Sequence, residues 1–508
     1  MTLLVRRFLA DYARTPANLL MLAVIPVVFV IVAAESMSDA TRLLGGAGGG
    51  SGIATVTAGW VAGFLAAVAM YFQVSSAQDT DRRLVLAGLA RSQLVAARLV
   101  AGASLAVLGT AAALTALLLR TGIDQPARVA TGTLMFAAIY LAVGAIVGAT
   151  VPDPVNGTLV LLFIWIIDVF FGPALSASQS VLTRVLPTHY VSLWTVAPPG
   201  HGGPSEVAVS VLWTVSALFI AFVVVGRASR VVRSKPTHIT RHPVRSQLAA
   251  GLRMGWRGWR RTPALWVLLA VVPAVFIWLA DAVTPRGSTP VALVEDGVQF
   301  VDLVDPAHIH AGTMAPIAVG SLAALTGVFM SLDAGRAEQR LVLAGQQARV
   351  VIATRLGMVM SAAATATIAA ALVTATVFGP HQWGPYLLAM MLSAATYGLI
   401  GMLLGPLFGR VAGAYLAFLI PFLDLGIGQG PMVRGEPATW ATYLPGYGST
   451  RVLIDGALTS GFDETSSLLI ASSWIIGLTA AFIALFHHVV QGPTTRQSQQ
   501  ATATPQPA

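Results

Sequence analysis

Two aspartates, Asp168 and Asp424, stand near the ends of long apolar runs in a chain of 508 residues of which only 10% are charged. A carboxylate inside a bilayer costs roughly 2.5–3.5 kcal/mol on insertion scales and is seldom placed there without a role. Its chemistry would be proton binding or, at the outer end of a span, a solvated or helix-capping role. A second charged pattern lies between apolar runs. Asp81, Arg82 and Arg83 head "DRRLVLAG" at 81–88, and Glu338 and Arg340 head "EQRLVLAG" at 338–345. Other chemistry is missing. No GxxxxGK[ST] phosphate loop occurs and Lys235 is the only lysine, so this chain is not expected to bind nucleotide by itself. No HExxH, nucleophile elbow or pair of catalytic acids stands out, and no catalytic residue is assigned. The absence of cysteine excludes disulfides, thiol catalysis and cysteine-ligated metals.

The elements that hold these residues are membrane spans. Hydrophobic residues make up 56% of the chain and its mean hydropathy is +0.76, far from the roughly one-quarter charged content of soluble domains. Runs that approach the roughly 20 residues needed to cross a bilayer predict about twelve spans. They fall near 16–34, 53–74, 99–119, 129–150, 155–172, 205–226, 263–280, 312–331, 357–378, 385–407, 411–427 and 466–487. With both termini on the cytoplasmic side, 23 of the 30 Lys and Arg residues face the cytoplasm. The positive-inside rule is met by this orientation and violated by its inverse. The net charge of +9 is therefore not read as a nucleic-acid signal. Its densest part, 227–262, carries nine arginines, Lys235 and no acid, as expected for a bridge lying on anionic lipid.

The chain also reads as an internal duplication. RLVLAG recurs at an offset of 257, and at that offset Asp81 matches Glu338, Arg98 matches Arg355, Gly144 matches Gly401, Gly148 matches Gly405 and Tyr190 matches Tyr447. Upstream, "RTPA" at 14–17 recurs at 261–264, an offset of 247, and each copy precedes an apolar helix with a proline, Pro26 or Pro273. Asp168 and Asp424 occupy matching places, as do Pro187 and Pro445 within repeated "LP" pairs. The expectation is an all-α polytopic protein of two tandem, parallel six-helix halves, 16–226 and 263–488. An interfacial helix at 1–15 would precede the first half. The basic linker with a second interfacial helix would occupy 227–262, and a disordered cytoplasmic tail 489–508. The "RRFLA" at 6–10 resembles a twin-arginine export signal, but its counterpart near residue 250 argues for an interfacial helix. The first outer loop of the second half, "PVALVEDGVQFVDLVDP", alternates around Asp296-Gly297 and predicts a β-hairpin. Its acids Glu295, Asp296, Asp302 and Asp305, with His308 and His310, read as a solvated acidic loop, and no metal site is assigned.

The repeated cytoplasmic loops at 77–98 and 333–356, the proline-bearing first span, the amphipathic leading helix and the "LPxxY" or "LPxY" after span 5 together resemble the type-2 ABC exporter permeases. The fused two-half forms of actinobacteria, several linked to drug or antibiotic efflux, look most similar. The resemblance implies a coupling helix in each loop, docked on a separate ATPase subunit. Asp81, Arg82, Arg83, Leu84, Leu86 and Gly88 would form the first, and Glu338, Arg340, Leu341, Leu343 and Gly345 the second. It further implies two ATPase partners that hold ATP and Mg, no cofactor in this chain, and a hydrophobic or amphipathic small-molecule substrate. The location would be a bacterial cytoplasmic membrane. Re-entrant segments 173–204 and 429–462 would make an outer gate with Asp168, Phe171, Pro187 and Tyr190, and with Asp424, Pro445 and Tyr447. The rival reading is a proton-coupled drug antiporter of major facilitator type, with Asp168 and Asp424 as proton sites.

Overall fold

The computed structural model describes residues 1–44, 50–175, 183–198, 201–228, 249, 252–253, 255–257, 263–295, 298–333, 347–431, 437 and 439–502. The chain is helical almost throughout: α1 (Thr2–Ala13), α2 (Pro16–Leu44), α3 (Gly50–Ser75), α4 (Gln78–Leu86), α5 (Arg91–Thr121), α6 (Pro126–Thr150), α7 (Pro154–Phe171), α8 (His189–Val196) and α9 (Pro204–Ala228). There follow α10 (Pro263–Val283), α11 (Pro306–Asp333), α12 (Ala348–Val377), α13 (Trp383–Pro421), α14 (Tyr447–Leu458) and α15 (Thr465–Thr502). The hairpin expected at the Asp-Gly pair is present as antiparallel β1 (Thr289–Glu295) and β2 (Val298–Val304), with Glu295 paired to Val298.

Among the described residues, nine helices are by themselves long and apolar enough to cross a membrane, which makes this an all-α, multi-pass membrane protein. Three of the expected twelve are not separate among these nine. The part Pro16–Val32 of α2 follows α1 through a bend of 82°, and the two together are long and apolar enough to cross. In α10 the apolar part is Trp266–Ala282. The tenth and eleventh runs merge into one apolar element, Trp383–Gly428. It turns at Gly409, where φ is 77° and ψ −171°, a conformation that glycine adopts without a Cβ clash. A π-helical stretch, Phe422–Gly428, ends this element and carries Asp424.

Two helices sit at the centre. The apolar windows of α3 and α11 are 94% and 89% buried, whereas those of α9 and α15 are 11% buried and face outward. Small residues let the central helices be approached closely, as packing in lipid requires where no hydrophobic gain separates helix from tail. A Cβ on Gly144 of α6 would lie 2.1 Å from the Ala67 carbonyl oxygen of α3, and one on Gly401 of α13 would lie 2.0 Å from that of Ala324 on α11. These contacts repeat at the offset of 257. An aromatic seam joins α2, α3 and α7 to α13 and the π segment. Phe29 stacks on Phe422 at 5.6 Å, Phe64 meets Phe418 at 5.1 Å, and Trp165 meets Phe418 edge-on at 5.1 Å. The Tyr415 hydroxyl donates to the Leu65 carbonyl at 2.8 Å, fixing α13 against α3.

Candidate functional sites

The connection between α3 and α5 folds around one charged pair. α4 is a nine-residue helix between α3 and α5, with Asp79 and Asp81 in its first turn, where carboxylates suit the helix dipole. Asp81 turns inward and is 4% exposed. Arg98 of α5 meets it with both ends of its fork, Nε to Oδ2 at 2.5 Å and Nη2 to Oδ1 at 2.6 Å. The third arm, Nη1, donates to the Gln73 carbonyl at 2.9 Å, and the guanidinium lies 4.2 Å from the centre of the Phe8 ring. One side chain therefore ties α1, the end of α3 and α4 to α5.

This placement divides the residues of the expected coupling helix. Asp81 is an internal anchor rather than an outward contact. Arg82 pairs with Asp79 at 3.4 Å on the surface, a pair of little energetic weight. Arg83 is exposed, Leu84 is half-buried, and Leu86 is 69% exposed. The two leucines do not share a face, because residues two apart on a helix project in different directions. Gly88 ends the helix: its φ is +98°, its N–H donates to the Val85 carbonyl, and the Leu89 N–H donates to that of Leu84. This left-handed termination is the reason for a glycine there. Glu338, Arg340, Leu341, Leu343 and Gly345 lie outside the described residues, while Arg355, the repeat of Arg98, is 5% exposed.

The two aspartates of the apolar segments occupy matching sites, and neither is solvated. Asp168 is 1% exposed and Asp424 3% exposed. Asp168 accepts from the Tyr140 hydroxyl at 2.7 Å, the Thr188 hydroxyl at 2.6 Å and the Thr188 N–H at 3.2 Å. Asp424 accepts from the Tyr397 hydroxyl at 2.6 Å, the Gly446 N–H at 2.8 Å and the Gln429 side-chain amide at 3.2 Å. Thr188 and Gly446 immediately precede α8 and α14. Each carboxylate thus satisfies an otherwise unpaired donor where a short helix begins, which is capping delivered from a neighbouring span. The third donor differs because Gly446 has no hydroxyl, and Gln429 takes its place. A side chain at Gly446 would collide with Tyr397 and Asp424 at 2.7 and 2.8 Å.

Tyr140 and Tyr397 were not among the residues expected to build the gate, although their spacing of 257 marks them as a repeated pair. Tyr190 and Tyr447 are half-buried beside the capped starts, and Pro187 and Pro445 are half-buried in the turns before them. Burial, with Arg184 and His201 nearby, lowers the His189 imidazole from 6.5 to about 4, so it is neutral at physiological pH. Phe171 lines an apolar crevice of about 20 Å³ with Phe170, Phe276, Met314 and His310. A neighbouring crevice of about 10 Å³ is closed by Phe418 and Phe422. Neither crevice admits a drug-sized molecule. His310 faces the crevice and bonds Thr284 at 2.7 Å, apart from the acidic hairpin. A larger cavity of about 380 Å³ lies between α1, α3 and α4.

In the second interfacial region only 249, 252–253 and 255–257 are described, and Trp256 there meets Trp266 edge-on at 5.0 Å. Neither the known protein families nor the curated proteins compared with this chain include a match.

Proposed function

We propose that this chain is the permease of an ATP-binding cassette exporter of type 2, built as two tandem six-helix halves with about twelve spans. In this reading it moves a hydrophobic or amphipathic compound, a drug, antibiotic or lipid, out of the cytoplasm or inner leaflet. The membrane would be a bacterial cytoplasmic membrane with both termini inside. The observation that carries the reading is α4: a short helix locked to α3 and α5 through Asp81 and Arg98, with Arg83 and Leu86 left facing outward. A lever that is rigid on its inner side and unpartnered on its outer side suits transmission of motion from a docked subunit. The repeated packing of Gly144 and Gly401, and the repeated capping by Asp168 and Asp424, support two equivalent halves. ATP and Mg would sit on two ATPase partners, one beneath each cytoplasmic loop.

The test is reconstitution of the chain with the ATPase encoded nearest to it. Substrate-stimulated hydrolysis is expected, and Arg83→Glu with Leu86→Ser should abolish most of it while leaving membrane insertion intact. Purified chain alone should bind no ATP. Nucleotide binding by the chain alone would overturn the proposal. So would efflux that collapses with an uncoupler while ATP is clamped, an outcome that favours the proton antiporter. The three hydrogen bonds at each aspartate support a structural role over proton cycling.

A further inference from the structure

The cavity between α1, α3 and α4 has Asn18 and Gln73 in its wall, and their unpaired side-chain atoms lie beneath its surface. Its volume of about 380 Å³ is far beyond the roughly 30 Å³ that one water occupies. Asn18, 8% exposed, has its side-chain oxygen buried without a partner, and both Oε1 and Nε2 of Gln73 are likewise buried and unpartnered. Buried polar groups left without partners in a native structure call for a ligand or water. Arg7 also lines the cavity, and no ion pair to it is found among the described residues. The other charges are committed: Asp11 pairs with Arg14 at 3.2 Å, and Arg98 spends its fork on Asp81. Leu4, Phe8, Phe72 and Leu84 supply an apolar wall.

The repeat makes this cavity specific to the first half. At the offset of 257, Gln73 corresponds to Met330. At the offset of 247, Asn18 corresponds to Leu265 and Arg7 to Met254. All three polar positions are apolar in the second half, whereas the anchor Arg98 is kept as Arg355. Polar groups that merely supported the fold would be expected in both copies.

We propose that this cavity binds the headgroup of a membrane phospholipid whose phosphodiester carries a hydrogen-bond donor, an ethanolamine or a glycerol. Arg7 meets the phosphate. The Asn18 and Gln73 amides turn into the cavity on binding, where the Gln73 N–H joins Arg7 at the phosphate and the two side-chain oxygens accept from the ammonium or hydroxyl, and the acyl chains follow the apolar face of α1 into the leaflet. Because α1, α3 and α4 meet at Arg98 beside this cavity, the bound lipid stiffens the cytoplasmic loop. The inference does not rest on the exporter reading.

Delipidated full-length protein titrated with dioleoyl phosphatidylethanolamine, phosphatidylglycerol and phosphatidylcholine, followed by native mass spectrometry, tests it. The first two should bind about tenfold tighter than phosphatidylcholine, whose quaternary ammonium cannot donate. Asn18→Leu with Gln73→Met copies the second half; it should erase that preference, and Arg7→Met should weaken all three lipids. Gln73→Met alone, checked by its Tm, gives the same comparison if the double variant folds poorly. Equal binding of the three lipids by wild type would overturn the proposal, as would a preference that survives in a folded variant. Phosphoethanolamine without acyl chains binding as tightly as the lipid would overturn the lipid as its source.

Discussion

Replacing Asp81 by alanine would strand the Arg98 guanidinium in a site where its side chain is 5% exposed. Two charge-assisted bonds, at 2.5 and 2.6 Å, are lost, and the Gln73 carbonyl and Phe8 ring remain as its partners among the described residues. Removing one partner of a buried pair typically costs about 3–5 kcal/mol, because the other charge is left uncompensated. A polytopic chain of this size does not unfold in two states, so the cost is read locally. At 1.4 kcal/mol per tenfold, it corresponds to roughly a hundredfold to a thousandfold or more in the opening equilibrium of 78–98. Amide hydrogen exchange across α4 and the start of α5 should accelerate by that amount, while α6 and α11 exchange as before. Asp81→Ala combined with Arg98→Leu removes both charges and should recover most of the loss, since a buried pair is often replaceable by apolar residues. Exchange within tenfold of wild type in Asp81→Ala would refute the reasoning. A double variant no better than the single would refute the assignment of the cost to the stranded charge.

Asp168→Ala leaves the Tyr140 hydroxyl and both Thr188 donors unpaired, each worth about 1–3 kcal/mol when buried. In this cysteine-free chain, an engineered cysteine at Ser192 should then label with maleimide far faster, as should one at Ser449 in Asp424→Ala; unchanged labelling would show that the carboxylates do not hold the short helices. Gly144→Ala and Gly401→Ala drive a methyl into the backbone oxygens of Ala67 and Ala324 and should each lower Tm, at a cost of about 1–3 kcal/mol or more, whereas Gly477→Ala, with nothing within 4 Å, should be neutral or stabilising. The Ser460 hydroxyl and N–H hold the Glu295 carboxyl below its ordinary value of 4.5. That attachment of the hairpin is intact above pH 4.5 and is lost as pH falls through the depressed value. Proteolysis of the hairpin should therefore rise only at acid pH, and Glu295→Gln should remove the dependence.

Membrane residence, the duplication and the hairpin were legible along the chain because each depends on local pattern: apolar run length, a repeated offset, alternation around an Asp-Gly pair. So were the acidic positions, since Asp81, Asp168 and Asp424 are rare types in an apolar background. What each of them does was decided in three dimensions. Asp81 reads as an outward contact until Arg98, seventeen residues away, is seen to take both its oxygens. Asp168 and Asp424 read equally as solvated, helix-capping or proton-binding until Tyr140, Tyr397 and the starts of α8 and α14 are seen to converge on them. The unmade bonds of Asn18 and Gln73 are invisible in sequence, because whether a polar group is satisfied depends on every neighbour within hydrogen-bond reach. Hydropathy sums over neighbours along the chain, whereas burial, pairing and capping depend on neighbours across it, and only folding brings those together.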